Sequence, residues 1–281
     1  MKIFSSCQGI RDHIDQYKKT QPSIALVPTM GHLHAGHISL IELAKTQAAH
    51  VIVSIFVNPL QFNEVKDYEH YPRTLDDDLE KLRPLNIDAV FTPSLDELYP
   101  HSLTHTPQIV IPELTESLEG TFRPGHFDGV CTIVCKLFNI TTPTIAVFGN
   151  KDYQQLLIIQ RMVQDLNFNI EIVAGDTKRE ADGLAMSSRN SHLNAKSRAL
   201  APYIFKILKQ SQDQFSSNNV KQLEENAASA LKQHGFRVEY FAFRDAQNLQ
   251  AISQTTENIV VLVAAWLENT RLIDNILFPM P

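Results

Sequence analysis

The stretch that decides the fold reads Ile24-Ala25-Leu26-Val27-Pro28-Thr29-Met30-Gly31-His32-Leu33-His34-Ala35-Gly36-His37. Its first four residues are apolar and predict a short strand buried on both faces. Pro28 has no N–H to donate, so we expect strand pairing to end there. Apolar residues recur at helical spacing from Ile38 onward, which predicts a helix that begins at or just before His37. This order is typical of the place where an α/β fold binds nucleotide phosphates.

Two imidazoles, His34 and His37, stand at the start of that predicted helix. The free N–H groups and the positive end of the helix dipole attract an anion, and Gly31 and Gly36 let a phosphate approach the backbone closely. The segment therefore predicts a site for the phosphate chain of ATP. A zinc site and a pair of capping histidines are the alternatives. Zinc needs roughly three to four protein ligands, and no cysteine or acidic residue stands at metal spacing nearby, which favours phosphate.

Length and composition indicate a globular chain with more than one domain. The chain has 281 residues, of which 43% are hydrophobic, and this is enough for a large core. A formal net charge of −6, without a Lys/Arg cluster, argues against a nucleic-acid surface, so no nucleic-acid partner is expected. No stretch approaches the roughly 18 apolar residues that a membrane span requires, and the first residues lack a secretory signal. We expect no membrane association and a cytoplasmic location.

The cysteines fit a reducing compartment. Cys7, Cys131 and Cys135 make an odd number without the spacing of a disulfide scaffold. Cys131 and Cys135 are four residues apart, and we interpret them as residues of a helix core, because a redox pair would have the C-x-x-C spacing.

The remaining pattern predicts an α/β fold in the first part of the chain, with a Rossmann-like parallel sheet wrapped by helices. Its ligands would lie beyond the carboxyl ends of the strands. Helical patterns separate several of the predicted strands, which lie at residues 24–27, 51–57, 89–92, 144–148 and 169–173.

A smaller α+β domain is predicted for the last part of the chain. Helical patterns at residues 195–214 and 220–233 precede three predicted strands, at 237–243, 259–267 and 271–278. The predicted domains are residues 1–176, a Rossmann-like domain that would bind ATP, and residues 177–281, a smaller α+β domain that would close over the active site.

Asn58 and Gln61 follow the second predicted strand and should lie at the same sheet edge as the histidines. Their amides could bind a hydroxyl or a carboxylate of a substrate. For Asn58, a turn in which its side chain bonds its own backbone is an equally good interpretation. Asp76, Asp77 and Asp78 are interpreted as acids at a helix start, with a magnesium role as the weaker alternative.

Lys151 follows the strand predicted at 144–148 and precedes a helical pattern at 156–166. A cation at the positive end of a helix is unfavourable by itself, and it becomes favourable when an anionic ligand lies between the two. Asp152 fits equally an ordinary acid of a first helical turn. The segment 179–190 carries Ser187, Ser188 and Arg189 in a loop that could close over a triphosphate, although a cluster of caps and salt bridges would show the same residues.

The residues carry a resemblance to the pantothenate synthetase (pantoate:beta-alanine ligase) family that runs almost from end to end. Each motif alone is weak, whereas the full set in this order is highly specific. The motifs are Pro-Thr-Met-Gly-x-Leu-His-x-Gly-His, Phe-Val-Asn-Pro-x-Gln-Phe, Tyr71-Pro72-Arg73, Arg-Pro-Gly-His-Phe, Lys-Asp-Tyr-Gln-Gln, Asp-Gly-Leu-Ala-Met-Ser-Ser-Arg-Asn and Thr270-Arg271-Leu272-Ile273-Asp274-Asn275. The first motif is also similar to the His-x-Gly-His signature of the nucleotidylyltransferase superfamily.

The resemblance implies a reaction in two steps. ATP and pantoate would give a pantoyl adenylate and pyrophosphate, and the amine of beta-alanine would then displace AMP to form pantothenate. It also implies Mg²⁺ as the companion of ATP and a homodimer.

The resemblance further implies the site residues. His34, His37 and Lys151 would be catalytic, with His37 as the candidate proton donor. Gln61, Gln155 and Asn58 would bind pantoate or beta-alanine. The residues implied for ATP are Met30, Gly31, His32, Leu33, His34, Ala35, Gly36, His37, Gly149, Asn150, Lys151, Asp152, Lys178, Met186, Ser187, Ser188 and Arg189.

The chain departs from the family pattern at a few positions. Ala35 and Asn150 each replace a common Glu, and Lys178 stands where a small apolar residue is usual. Trp266 and Glu268 replace Arg and Gly. No implied phosphate or pantoate ligand is lost, and the departure at Lys178 bears on nucleotide affinity.

Two other functions are compatible with the same cleft. One is a nucleotidylyltransferase that acts on another small molecule without forming an amide. The other is a nucleotide-binding regulatory protein without turnover, which the presence of His34, His37, Lys151, Ser187 and Arg189 disfavours.

Overall fold

The structure is a computed structural model that describes residues 1–18 and 23–281. The chain forms two compact units. The first unit contains Met1–Asn150 and Ile158–Asp176, and the second contains Lys151–Leu157 and Thr177–Pro281. A single boundary after residue 176 places the segment 151–157 in the first domain, whereas the structure groups it with the second unit.

The first unit contains a six-stranded sheet in the order β1-β4-β3-β2-β5-β6, and every strand pair is parallel. This confirms the predicted fold class. Every strand predicted in this part is present, with bounds that differ from the prediction by up to two residues. The edge strand β1 was not predicted, because three residues with little burial give no readable alternation. The strands are β1 Lys2–Phe4, β2 Ile24–Thr29, β3 His50–Ile55, β4 Ala89–Phe91, β5 Ile145–Gly149 and β6 Glu171–Gly175.

Helices flank this sheet. They are α1 Cys7–Lys18, α2 Ala35–Gln47, α3 Val65–Glu69, α4 Leu75–Leu82, α5 Leu95–Leu98, α6 Glu119–Phe122, α7 His126–Thr141 and α8 Tyr153–Asp165, whose first residues belong to the second unit. Helix α2 packs against β2, β3, β5 and β6, and α1 packs against α7. Over residues 1–18 and 23–281, no helix combines the length and the apolar character that a membrane span needs.

The core of this sheet is built from the apolar runs that predicted the strands. All four residues of the run 24–27 are buried, as expected for a strand with a layer on each face. One buried cluster contains Ala25, Val27, Leu33, Ile41, Ala44, Val51, Val53, Ile55, Leu82, Ile87, Val90, Ile145 and Val147. Ala25 and Val27 of β2 belong to this cluster, so one face of the strand packs into it.

The prediction that pairing ends at Pro28 was wrong. Strand β2 stays in register with β3 through Thr29, which pairs with Ile55. A proline removes from a ladder only the hydrogen bond that its missing N–H would make. The pairs that β2 forms with β5 end at Leu26, so Pro28 lies beyond them while the pairing with β3 continues.

The strand order reverses at β2. The chain runs from β2 to β3 and β4 on one side, whereas β5 and β6 lie on the other side of β2. In open parallel sheets, ligands bind beyond the carboxyl ends of the strands at such a reversal. These ends are Thr29 of β2 and Gly149 of β5, so the sheet places the histidine motif and the Gly149-Asn150 pair at its binding edge.

The second unit contains a three-stranded antiparallel sheet in the order β7-β8-β9. Its strands are β7 Arg237–Asp245, β8 Asn258–Leu267 and β9 Thr270–Pro279, and its helices are α9 Ala195–Leu200, α10 Tyr203–Asp213 and α11 Val220–Gln233. The helix predicted over 195–214 is two helices, because Pro202 precedes α10 and cannot continue the hydrogen bonding of α9. The buried side chains that join helices to sheet include Ile204, Leu208, Leu223, Leu231, Phe243, Val261 and Val263.

The cysteine interpretation is confirmed for Cys131. Its side chain is buried in α7, and burial raises the pKa of its thiol to about 12. Burial also raises the pKa of Cys7, to about 11, so both thiols stay protonated at neutral pH.

His13 of α1 lies in an aromatic stack at the edge of the first sheet. Its ring stacks on Phe4, its Nε2 lies 2.7 Å from the hydroxyl of Tyr17, and Tyr17 stacks on His50. His50 in turn bonds the carboxylate of Asp88 at 2.7 Å. Burial, followed by the charge of Lys2 and that of His50, lowers the pKa of His13 against the opposing effects of Asp88 and Gln16.

This lowered pKa predicts a loss of stability in mild acid. Below about pH 6.5 the unfolded chain takes up a proton that folded His13 resists. We expect the free energy of unfolding to fall more between about pH 7.5 and about pH 5 in the wild type than in His13→Phe, which keeps a ring without the titration. Urea unfolding at both pH values measures this. An equal loss of unfolding free energy in the two proteins would contradict the lowered pKa of His13.

Candidate active site

The histidines cap helix α2 with their own rings. His34 is the N-cap residue, and its Nδ1 accepts the N–H of Gly36 at 3.1 Å. The Nδ1 of His37 accepts the N–H of His34 at 3.3 Å, which closes a reciprocal capping box. The two ring centroids are 4.0 Å apart.

This capping decides where the rings carry their protons. A ring nitrogen that accepts an N–H is unprotonated, so each neutral ring carries its proton on Nε2. Protonation of Nδ1 would break the cap, which favours neutral donors over imidazolium cations. The capping role, which was an alternative to phosphate binding, uses one nitrogen of each ring and is compatible with a ligand role for the other.

The turn before these histidines has a left-handed backbone. We call residues 30–37 the histidine turn. Gly31 has a φ of 81° and His32 a φ of 50°. A Cβ on Gly31 would lie 3.0 Å from an oxygen of Asp78, so the position has little room for a side chain. For His32, a conformation that side chains rarely adopt costs about 1–3 kcal/mol and must be held by its surroundings.

Asp78 of α4 supplies that support. Its carboxylate accepts the N–H of His32 at 2.8 Å and that of Leu33 at 2.7 Å. Helix α4 does begin with three acids in its first turn, as predicted, but Asp78 is fully buried. The sequence held a signal for this role, because Asp78 lies four residues before the buried Leu82 on the same helical face. A carboxylate on a buried face requires partners.

Asn58 supports Gln61 from inside the protein. Asn58 is 1% exposed and caps a 3-10 turn over Pro59–Gln61. Its amide nitrogen donates to the carbonyl of Gly129 at 3.0 Å and to Oε1 of Gln61 at 3.3 Å. Its oxygen accepts the hydroxyl of Tyr99 at 2.7 Å and the N–H of Leu60 at 3.4 Å. These contacts use both donors and both acceptor positions of the amide, so they favour the turn interpretation of Asn58.

Gln61 lies next to the histidine turn. Its side-chain Nε2 is 2.9 Å from the sulfur of Met30, which is a weak acceptor. Its backbone carbonyl accepts from Nδ1 of His126 at 2.7 Å, and Arg123 donates to the other ring nitrogen of His126 at 3.1 Å. The Arg-Pro-Gly-His-Phe motif, residues 123–127, thus supports Gln61.

Lys151 and Asp152 belong to the second unit. The ammonium of Lys151 lies 3.6 Å from the Asp152 carboxylate, and its side chain is 17% exposed. The backbone carbonyl of Lys151 accepts the side-chain amide of Asn275 at 2.8 Å. Gln155 is half-buried in the first turn of α8.

Arg179 ties the serine loop, residues 179–190, to strand β9. Its guanidinium donates to both oxygens of Asp274, at 2.6 and 2.9 Å, and to the carbonyl of Gly183 at 3.1 Å. It also lies 3.8 Å from the ring centroid of Phe205. Burial raises the pKa of the Asp274 carboxyl, and the guanidinium opposes that rise. Asp274 and Asn275 together thus hold Arg179 and the backbone of Lys151, a role that the sequence motif did not reveal.

The residues implied for ATP in the serine loop and at Lys178, next to it, lie close together. The carbonyl of Lys178 accepts the N–H of Met186 at 2.9 Å, and the Lys178 side chain is exposed. The hydroxyl of Ser187 accepts the N–H of Arg189 at 3.3 Å at the start of a short 3-10 turn that contains Ser188. This geometry contains the capping contacts that were the alternative interpretation. In residues 1–18 and 23–281, no group of three or more His, Cys, Asp or Glu side chains could hold a metal ion.

Comparison with known proteins identifies the family. The family model for pantoate-beta-alanine ligase matches residues 2–277 of the chain. The chain belongs to this family. A pantothenate synthetase from Thermus thermophilus is 37% identical, with 98% of this chain and 99% of that chain covered and a TM-score of 0.87. A pantoate-beta-alanine ligase from Francisella tularensis, in complex with beta-gamma ATP and beta-alanine, is 36% identical over 99% of this chain and 97% of its own, with a TM-score of 0.85.

The resemblance carried by the motifs is thereby confirmed. The assignment of this pantoate-beta-alanine ligase family member as an ATP-dependent ligase is confirmed with it. The roles of its individual site residues remain predictions.

Gly129 provides a test of the Gln61 support. A Cβ on Gly129 in α7 would lie 2.3 Å from the carbonyl oxygen of Leu60 in the 3-10 turn. We expect Gly129→Ala to destabilise the protein by about 1–3 kcal/mol, although alanine ordinarily stabilises a helix, and to raise the KM for pantoate. Asn139→Ala, on an exposed position of α7, is the control and should change stability by less than about 0.5 kcal/mol. A Gly129→Ala enzyme as stable as the wild type would show that this packing is not required.

Asp274 provides a test of the buried ion pair in the second unit. Asp274→Asn leaves the Arg179 guanidinium without its buried partner charge, and we expect a loss of about 3 kcal/mol in the free energy of unfolding. Asp182→Asn breaks the exposed Asp182–Arg198 pair in the same unit and should cost less than about 1 kcal/mol. Urea unfolding compares the two variants. Equal losses would contradict the importance of the buried pair.

Proposed function

We propose that the protein catalyses the ATP-dependent condensation of pantoate with beta-alanine to pantothenate, AMP and pyrophosphate, through a bound pantoyl adenylate. The observation that carries this proposal is the family match over residues 2–277. The site geometry supports it, because His34 and His37 cap a helix at the binding edge of a parallel sheet and carry their protons on Nε2.

In the first half-reaction, a carboxylate oxygen of pantoate attacks the α-phosphorus of ATP, and the bond to pyrophosphate breaks. This step needs positioning and charge stabilisation more than a strong base. The Nε2–H groups of His34 and His37 donate to phosphate oxygens, with His37 as proton donor, and the N-terminus of α2 adds its dipole. Lys151 stabilises the charge that develops on pyrophosphate. The serine loop completes the ATP contacts through Met186, Ser187, Ser188 and Arg189.

In the second half-reaction, the amine of beta-alanine attacks the acyl carbon, and the bond to AMP breaks. Gln61 holds pantoate and lies near beta-alanine, and Gln155 is a second ligand of pantoate. The amide of Gln61 is well prepared for this role. Its Nε2 contacts only the weak thioether acceptor of Met30 among the contacts described above, so a hydroxyl or carboxylate oxygen of the substrate is a stronger partner.

We further propose Mg²⁺, a homodimer and a cytoplasmic location. Magnesium is usually held by one or two carboxylates together with substrate phosphates. Asp152, whose carboxylate is 45% exposed beside Lys151, fits as such a ligand when the ion arrives with ATP. The ion would neutralise phosphate charge.

Isotope exchange between ATP and pyrophosphate, with pantoate present and beta-alanine absent, tests the adenylation step. We expect pantoate-dependent exchange in the wild type. His34→Asn keeps an N-cap oxygen but loses the ring, and His37→Ala loses its donor, so each should slow exchange about 100-fold or more.

His101→Ala, at an exposed histidine, is the control and should exchange like the wild type. Thermal unfolding verifies that each variant is folded. Folded His34→Asn and His37→Ala enzymes with full exchange would refute the role of the histidines, and a magnesium-supplied wild type without exchange would refute the adenylate mechanism.

A further inference from the structure

We propose that Asp78 and Lys81 of helix α4 are positioning residues that hold the histidine turn in the conformation in which His34 and His37 act. The proposal rests on the proposed function of those histidines. Neither side chain was predicted to have this role, and both reach the turn from more than forty residues away in sequence, with separations of 45 to 48 residues.

The Asp78 carboxylate fixes two successive peptide groups. Its Oδ2 accepts the N–H of His32 at 2.8 Å, and its Oδ1 accepts the N–H of Leu33 at 2.7 Å. Thr74 donates its hydroxyl to Oδ2 at 3.3 Å. The side chain is fully buried, so the charge of this carboxylate is compensated by these donors.

Lys81 fixes the next peptide group. Its ammonium donates to the carbonyl oxygen of Leu33 at 2.9 Å. The N–H on the other side of that planar peptide belongs to His34, and it donates to Nδ1 of His37. Rotation of this peptide would therefore remove the donor that keeps Nδ1 of His37 unprotonated. Through this peptide, Lys81 thus supports the contact in which Nδ1 of His37 accepts the N–H of His34.

Helix α4 thereby fixes three consecutive peptide groups, from Gly31–His32 to Leu33–His34. The backbone of this turn needs such support, because both Gly31 and His32 have positive φ values, 81° and 50°. Without α4 the turn would relax, and the histidine rings would lose their fixed orientation toward a ligand. Displacements of about 1 Å at a catalytic group can slow a reaction about 100-fold.

The test compares Asp78→Asn with Asp76→Asn, which removes the same charge from an exposed position in the same helical turn. An asparagine oxygen can accept one of the two N–H groups, and its NH₂ faces the other. We expect Asp78→Asn to lower the kcat of pantoate-dependent ATP–pyrophosphate exchange at least about tenfold, and Asp76→Asn to remain within about twofold of the wild type. The KM for beta-alanine in the full reaction should not change in either variant, whereas general unfolding would affect every parameter.

A second variant keeps the proposal testable if Asp78→Asn does not fold. Lys81→Met removes only the contact to the Leu33 carbonyl. We expect a wild-type melting temperature, a reduced kcat and a pH profile of exchange that differs from that of the wild type, because Nδ1 of His37 can then take up a proton. A folded Lys81→Met enzyme with the kcat and pH profile of the wild type would overturn the role of Lys81.

A readout without activity separates this proposal from the proposed function. Hydrogen exchange at the backbone amides of His32 and Leu33 reports the Asp78 bonds directly. We expect faster exchange at these amides in Asp78→Asn and no change in Asp76→Asn, whether or not the wild type forms an adenylate. Equal amide protection in the two variants would overturn the proposal, whereas loss of the adenylation reaction in the wild type would overturn only the function.

Discussion

The reversal of strand order at β2 is the constraint on which the rest of the first unit depends. Parallel strands that lie on the two sides of β2 leave the carboxyl ends of β2 and β5 next to each other without a crossing connection. Helix α2 begins after the short histidine turn that follows β2, so the same edge gains the positive end of a helix dipole. The chemistry of phosphate binding is thus a consequence of strand order before any side chain is considered.

Buried side chains without a proposed chemical role hold in place the side chains that have one. Asp78 supports the histidine turn, Asn58 and His126 support Gln61, and Asp274 supports Arg179. Each of these supports is buried and meets a polar group of a distant segment. Burial strengthens such contacts and makes their loss costly, which suits a site in which placement of the reactants matters more than a strong base.

Much of the fold could be predicted, because long apolar runs in β2, β3 and β8 are recognisable without knowledge of their neighbours. The continued pairing of Pro28 with β3 could not be predicted, since it depends on which neighbouring strand continues beyond Leu26. The motifs likewise indicated His34, His37 and Lys151 through their local positions at helix starts. Asp78 and His126 were missed because their contacts join segments that lie far apart in sequence, and Pro202 showed that a helical pattern can contain a break.

The most direct test of the proposed pantoyl adenylate follows oxygen atoms through the reaction. Pantoate labelled with ¹⁸O in its carboxylate is incubated with the protein, ATP, Mg²⁺ and beta-alanine, and the nucleotide product is examined by mass spectrometry. A pantoyl adenylate requires that one carboxylate oxygen leaves with AMP, so we expect AMP that carries a single ¹⁸O together with unlabelled pyrophosphate. Unlabelled AMP, or ADP with labelled phosphate, would contradict it.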